Sequence, residues 1–89
     1  MPRVQYSSEF AVGLSEISSS RLENEILNVL DSLQLFGECG SPLVPDSIRR
    51  NYGDGVRKVA INPFDLIYTF YPEEDLVRVE ALVPQRAAS

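Results

Sequence analysis

The feature that most restricts the fold is the last third of the chain, which reads as three successive β-strands joined by short turns. The predicted strands are Val56 to Ile61, Leu66 to Tyr71 and Leu76 to Val83. Asn62-Pro63 separates the first two strands, and Pro72 to Asp75 separates the second from the third. Because both links have the length of a hairpin connection, this part of the chain predicts a largely antiparallel sheet.

Before this sheet, the pattern predicts a short strand and two amphipathic helices. Arg3 to Tyr6 alternates polar and apolar residues, as a strand does. A first helix follows Ser7 or Ser8, and a second runs from the capping residue Ser20 to about Phe36. Two helices joined by a few residues form an antiparallel hairpin.

The predicted order of elements is β-α-α-β-β-β. We expect an α+β fold in which the N-terminal helical hairpin packs on one face of a small, mostly antiparallel sheet. Glu38 to Asp46 is expected to be a loop, followed by a single helical turn through Arg49 and Arg50. A chain of 89 residues has room for one domain, residues 1–89, with one modest core.

Strand alternation predicts which side chains lie on the sheet face opposite the helices, which is expected to be open. Val59 and Ile61 face the helices, so Lys58 lies on the open face. Tyr68 or Tyr71 joins it there, depending on the register of the middle strand. In the last strand, Val77, Val79, Ala81 and Val83 are expected on one face, and Arg78, Glu80 and Leu82 on the other.

Charge is distributed unevenly along the chain. The protein has 8 basic and 13 acidic residues and a net charge of -5. Nevertheless, four basic residues precede or begin the sheet: Arg49, Arg50, Arg57 and Lys58. An acidic protein repels nucleic acid at long range, which argues against extended, non-specific binding. The local basic cluster could still hold one or two phosphates.

The residue types that are absent restrict the chemistry. The chain has no histidine, which removes the usual general base and the usual metal ligand. Cys39 is the only cysteine, so neither an internal disulfide nor a thiolate zinc site is expected. No apolar run approaches the ~20 residues of a membrane span, and residues 1–10 lack a signal-peptide segment. We therefore expect a cytoplasmic protein.

This order of elements, with a basic segment entering the sheet, resembles the RelE/ParE family of bacterial type II toxins. Three segments carry the resemblance: GVRKVAI at 55–61, FDLIY at 64–68 and VRVEALVPQR at 77–86. The resemblance implies a toxin that a cognate antitoxin protein holds inactive by folding over its helices and sheet. For RelE-like members it implies metal-independent cleavage of mRNA on the ribosome, without a cofactor.

The resemblance also implies roles for individual residues. In the implied reaction, the 2′-hydroxyl of the RNA attacks the adjacent phosphate, and positive charge stabilises the phosphate oxygens. Lys58, with Arg57 as the nearby alternative, matches the basic position on the strand after the helices, and Arg86 matches the basic residue after the last strand. These three are the candidate catalytic residues. The candidate substrate-binding residues are Arg49, Arg50, Arg78 and Tyr68.

Two other functions stay open at this point. ParE-like members of the family poison DNA gyrase and do not cut RNA. A degenerate, non-enzymatic member would act only as a protein-binding module. Three features favour this last alternative: Asp65 at a position that is often basic in RelE-like members, the short tail after Arg86, and a pI of about 4.5. An exposed sheet edge could pair with a second copy, but a homodimer and a toxin-antitoxin assembly are equally open.

Overall fold

The computed structural model describes residues 1–86 and has the predicted order of elements, with one addition. Its elements are β1 (Arg3–Tyr6), α1 (Ser8–Ser15), α2 (Ser20–Leu35), α3 (Asp46–Tyr52), β2 (Val56–Ile61), β3 (Phe64–Tyr71) and β4 (Leu76–Pro84). A short 3₁₀ turn, Pro72–Glu74, links β3 to β4. The α+β class is confirmed. The predicted domain, residues 1–89, extends beyond the described residues, and its extent stays a prediction.

The four strands form one mixed sheet in the order β1-β4-β3-β2. β1 runs parallel to β4, whereas β3 is antiparallel to both β2 and β4. The sheet is therefore mostly antiparallel, as predicted. β1 and β2 are its edges, and β3 and β4 lie at its centre.

The helical hairpin packs on one face of this sheet, as predicted. Ser7 and Ser19 cap α1 and α2, because each side chain accepts a hydrogen bond from a backbone amide of the first turn. The cap of α2 is therefore Ser19 and not the predicted Ser20, which is the first helical residue. Burial of apolar side chains at helical spacing then holds the hairpin on the sheet. The core consists of Phe10, Leu22, Ile26, Leu30 and Leu33 from the helices and Ile61, Leu66, Tyr68, Val77 and Val79 from the strands.

The opposite face is not open, and this corrects the sequence prediction. Val44 and Ile48 pack there on Val56 and Ile67, forming a second, smaller core. The predicted single turn is in fact α3, which has seven residues. Val44 and Ile48 have few apolar neighbours in the sequence, so their burial depends on a face that forms only when the sheet does. We call this side of the sheet the α3 face.

A β-bulge in β4 corrects a second prediction. Tyr68 pairs with Val79 whereas Ile67 pairs with Ala81, so Glu80 is an extra residue on β4. Beyond the bulge the alternation of side chains reverses. Leu82 packs with the core under the helices, and Val83 packs with the α3-face core. The predicted grouping of Ala81 and Val83 with Val77 and Val79 is therefore wrong.

The Tyr68 hydroxyl joins the central strand to the connection between α2 and α3. It donates a hydrogen bond to the Gly37 carbonyl oxygen at 2.8 Å and accepts one from the Gly40 amide at 2.8 Å. The Tyr68 side chain is fully buried, and this burial raises its pKa to about 12. Glycine at position 40 is needed for this close approach, since a Cβ on Gly40 would lie 2.7 Å from the Tyr68 ring.

The same connection is also fixed against β2. Arg57 Nη1 donates to the carbonyl oxygens of Gly40 at 2.7 Å and Glu38 at 3.2 Å. Ser41 and Lys58 exchange two backbone hydrogen bonds of 2.9 Å each. The connection therefore protects part of the exposed edge of β2 and directs the chain onto the α3 face.

Replacing Tyr68 with Phe should lower the free energy of unfolding by about 1–3 kcal/mol, because the buried Gly37 carbonyl and Gly40 amide lose their partner. Urea denaturation followed by circular dichroism measures the change. Tyr71→Phe is the matched control, since Tyr71 is 39% exposed. Equal stabilities of the two variants would contradict the role assigned to the Tyr68 hydroxyl.

Candidate functional site

Strand register defines how side chains are arranged on the α3 face. Three rows of neighbouring residues cross the sheet: Val56, Thr69 and Arg78; Lys58, Ile67 and Ala81; Ala60, Asp65 and Val83. Strands lie about 4.8 Å apart, and rows along a strand about 7 Å apart. The Cα atoms of Lys58 and Arg78 are therefore roughly 10–12 Å apart. Ile67, covered by the α3-face core, lies between them, so these two cations form separate clusters.

The first cluster surrounds Lys58, the only lysine in the chain. Lys58 Nζ lies 3.7 Å from Asp65 Oδ2, and the Lys58 side chain is 31% exposed whereas that of Asp65 is 6% exposed. Gln85 Nε2 lies 3.3 Å from Asp65 Oδ1 and donates to Asn62 Oδ1 at 2.8 Å. A nearly buried carboxylate thus holds a half-buried ammonium group and compensates its charge. We call these four residues the Lys58 cluster.

The second cluster is centred on Glu80. Arg78 Nε donates to Glu80 Oε1 at 3.1 Å, and Thr69 Oγ1 donates to Glu80 Oε2 at 3.2 Å.

Nearby, the Tyr52 hydroxyl donates to Glu9 Oε2 at 2.6 Å. Burial, this hydrogen bond and the charges of both glutamates raise the pKa of Tyr52 above its ordinary value. Tyr52 therefore keeps its proton and ties α3 to α1.

Sequence reasoning missed Glu9 and Tyr52 as partners because 43 positions separate them. No local pattern in the sequence indicates which carboxylate the Tyr52 hydroxyl meets. Glu80 was assigned to the same face as Arg78, and the structure confirms that they interact.

Two predicted site residues lie away from the α3 face. Arg57 lies opposite Tyr68 in the strand register and therefore on the sheet face that the helices cover. Its guanidinium donates hydrogen bonds to two carbonyl oxygens of the loop. Tyr68 is fully buried in the core under the helices. A substrate at the surface cannot reach the Tyr68 hydroxyl, so its predicted role in substrate binding is incompatible with this burial. Both residues position the connection between α2 and α3.

The remaining predicted residues lie at the edges of the face. Arg49 and Arg50 are on α3, where Arg49 Nη1 lies 3.4 Å from Asp46 Oδ1 and Arg50 is exposed. Arg86 follows Gln85, whose amide donates to the Pro63 carbonyl oxygen at 3.0 Å. Arg86 also borders a cleft of about 420 Å³ beside the β2–β3 turn. Arg86 thus directly follows one member of the Lys58 cluster along the chain, and Arg49 and Arg50 lie on the helix above the sheet.

Within residues 1–86, no group of three or more cysteine, aspartate or glutamate side chains is arranged to hold a metal ion. None of the described helices is long and apolar enough to cross a membrane.

Breaking the Lys58–Asp65 pair should destabilise the fold. In Lys58→Met the Asp65 carboxylate stays buried with Gln85 as its remaining neighbour, and we expect a loss of about 1–3 kcal/mol in the free energy of unfolding. In the double variant with Asp65→Asn, part of this loss should return. Urea denaturation of all four proteins gives the coupling energy.

The matched control is the same cycle on Arg21 and Glu25, an exposed pair on α2 with Nη1 and Oε1 2.6 Å apart. Its coupling should be about 0.5 kcal/mol or less. A Lys58–Asp65 coupling no larger than this would show that the burial of Asp65 does not depend on Lys58.

No protein-family model and no curated protein matches this chain. Solved structures do match it. Isolated RelE toxin of Escherichia coli matches with a TM-score of 0.71 and 10% identity over 94% of this chain and 84% of that chain. A chain of the E. coli RelBE toxin-antitoxin complex matches with a TM-score of 0.70 and 9% identity, covering 94% of this chain and 96% of that chain.

An archaeal structure gives the same result. A chain of the RelE–RelB complex from Pyrococcus horikoshii matches with a TM-score of 0.67 and 14% identity over 94% of both chains. Identities this low establish similarity of fold alone. The predicted resemblance is thereby confirmed at that level: this chain has the fold of the RelE toxins.

Proposed function

We propose that this protein is the toxin of a type II toxin-antitoxin pair and belongs to the RelE/ParE family. The observation that carries the proposal is the RelE fold, which extends over 94% of the chain. The RelE-like segments quoted from the sequence occupy β2, β3 and β4 of that fold. Two of the similar structures are RelE-family proteins in complex with RelB antitoxins. The proposed partner is accordingly a small antitoxin protein encoded next to this one.

The proposed activity is metal-independent cleavage of mRNA on the ribosome. The 2′-hydroxyl oxygen attacks the adjacent phosphorus, the bond to the 5′-oxygen breaks, and a cyclic 2′,3′-phosphate and a 5′-hydroxyl result. The proton of the attacking hydroxyl leaves to a base, and the departing oxygen takes up a proton. We assign stabilisation of the phosphate oxygens to Lys58, which pairs with Asp65, and to Arg86, which follows Gln85, a neighbour of the same carboxylate. Such stabilisation is commonly worth about 10²–10³-fold in rate.

The other predicted residues take supporting roles in the proposal. Arg57 and Tyr68 position the connection that pairs with Lys58. Arg49, Arg50 and Arg78 would contact the RNA backbone from α3 and from the centre of the sheet. Contacts of this kind fix the register of a nucleic acid without reading its sequence.

A second candidate function is a non-enzymatic member that binds an antitoxin without cutting RNA. Ion pairing favours it, because Lys58, Arg78 and Arg49 each have a carboxylate within 4 Å. A phosphate that approaches these cations also meets Asp65, Glu80 and Asp46, so the attraction is weaker than that of unpaired bases.

Induced expression of this chain in bacteria should stop growth, and co-expression of the adjacent gene should restore it. Lys58→Ala combined with Arg86→Ala should abolish the growth arrest, because the phosphate charge is no longer stabilised. Arg21→Ala is the control, since Arg21 lies on the exposed side of α2 and should leave toxicity unchanged. Thermal denaturation of the purified variants separates lost activity from unfolding.

The nature of the arrest separates the alternatives. Cleaved mRNA with cyclic phosphate ends supports the RelE-like activity, whereas DNA breaks with intact mRNA support a gyrase poison. Normal growth with a stable complex between the two gene products supports the non-enzymatic alternative. Full toxicity of a folded Lys58→Ala/Arg86→Ala variant would overturn the assignment of these residues.

A further inference from the structure

An exposed apolar feature of the described residues lies where α2 ends, at the far end of β3 from Asp65. Two adjacent clefts, of about 440 and 160 Å³, share Phe70. The first is bordered by Leu35 and Phe36, and the second by Tyr71. We call the two clefts together the Phe70 groove. Phe70 lies five positions after Asp65 on β3, roughly 17 Å along the strand, so the groove is distinct from the Lys58 cluster.

The apolar side chains of this groove are exposed although they are bulky. Leu35 is 58% exposed and Phe36 71% exposed, and they are adjacent in the chain. The floor of the groove is fixed, because the Phe70 ring lies directly against Gly37, where an added Cβ would come within 2.4 Å of the ring. A contiguous, preformed apolar surface of this kind marks a place where another molecule binds.

The rim of the groove is acidic. Glu38 and Asp75 line the first cleft, and Glu73 and Glu74 line the second. Among the described residues no lysine or arginine lines either cleft. The Met1 amino group lies 3.9 Å from Asp75, and the Arg57 guanidinium is bonded to the backbone carbonyl of Glu38. A second copy of this chain docked groove to groove would bring these acids together, and like charges at an interface are costly.

From these observations we infer that the Phe70 groove binds a cationic amphipathic segment of another protein. Bulky apolar side chains of that segment would occupy the clefts beside Leu35, Phe36 and Phe70. Lysine or arginine side chains on either side of them would meet the acidic rim. Such a segment buries apolar anchors and pairs its charges with the rim, which is the usual division between the centre and the edge of an interface. The inference does not depend on RNA cleavage.

Selection from a phage-displayed library of random 16-residue peptides tests this inference without assuming a partner. Binding to the wild-type protein is selected, with removal of phage that bind the double variant Leu35→Ser/Phe36→Ser. Because both side chains are largely exposed, this variant should keep its fold, which circular dichroism and thermal denaturation check. Val12→Ser is the matched control, since Val12 is 58% exposed on α1, away from the groove.

The enriched peptides should contain an excess of Lys and Arg together with Leu, Phe or Trp. Synthetic versions should bind the wild-type and Val12→Ser proteins equally and the double variant at least tenfold more weakly. Replacing their basic residues by Glu should abolish binding. No enrichment over the double variant, or enrichment of peptides without excess basic residues, would overturn the inference. Self-association of the wild-type protein that the double variant loses would assign the groove to a second copy instead.

Discussion

The two hydrogen bonds of the Tyr68 hydroxyl are the constraint on which the rest of the structure depends. They join the central strand β3 to Gly37 and Gly40 inside the core, where an unpaired amide or carbonyl would be costly. Because the connection is fixed there, Ser41 reaches the edge of β2 and the chain turns onto the α3 face. Gly37 in turn supports the Phe70 ring. The α3 face and the Phe70 groove are thus both positioned from one buried hydroxyl group.

Charge compensation governs what the α3 face can do. The protein is acidic overall, and its structure places Asp65 and Glu80, both nearly buried, beside Lys58 and Arg78. Such carboxylates orient the cations but also reduce the potential that a phosphate would meet. Binding of a phosphate to the α3 face would therefore depend more on short-range contacts with these cations than on long-range attraction. At the other end of the sheet, the acidic rim of the Phe70 groove favours a cationic ligand instead.

Local patterns in the sequence were sufficient for the order of elements and for the helical hairpin, because capping residues and apolar spacing are local properties. Three features depend on distant contacts and were not predictable in this way. The bulge at Glu80 leaves no trace in the alternation of β4. α3 forms on a sheet face that is created by Ile67 and Val56. Tyr68 carries no local sign that its partners lie 28 and 31 positions earlier. The burial of Tyr68 was not predictable for this reason, and the functional role of Arg57 stays a prediction.

Hydrogen exchange at the Gly40 amide is the most direct test of this account. Gly40 belongs to a loop, and a loop amide in contact with water exchanges quickly. Since its amide is buried and donates to Tyr68, we predict exchange as slow as that of the β3 amides, and a rate increased at least tenfold in Tyr68→Phe while β3 stays protected. Rapid exchange of Gly40 in the wild-type protein, with β3 protected, would contradict the account.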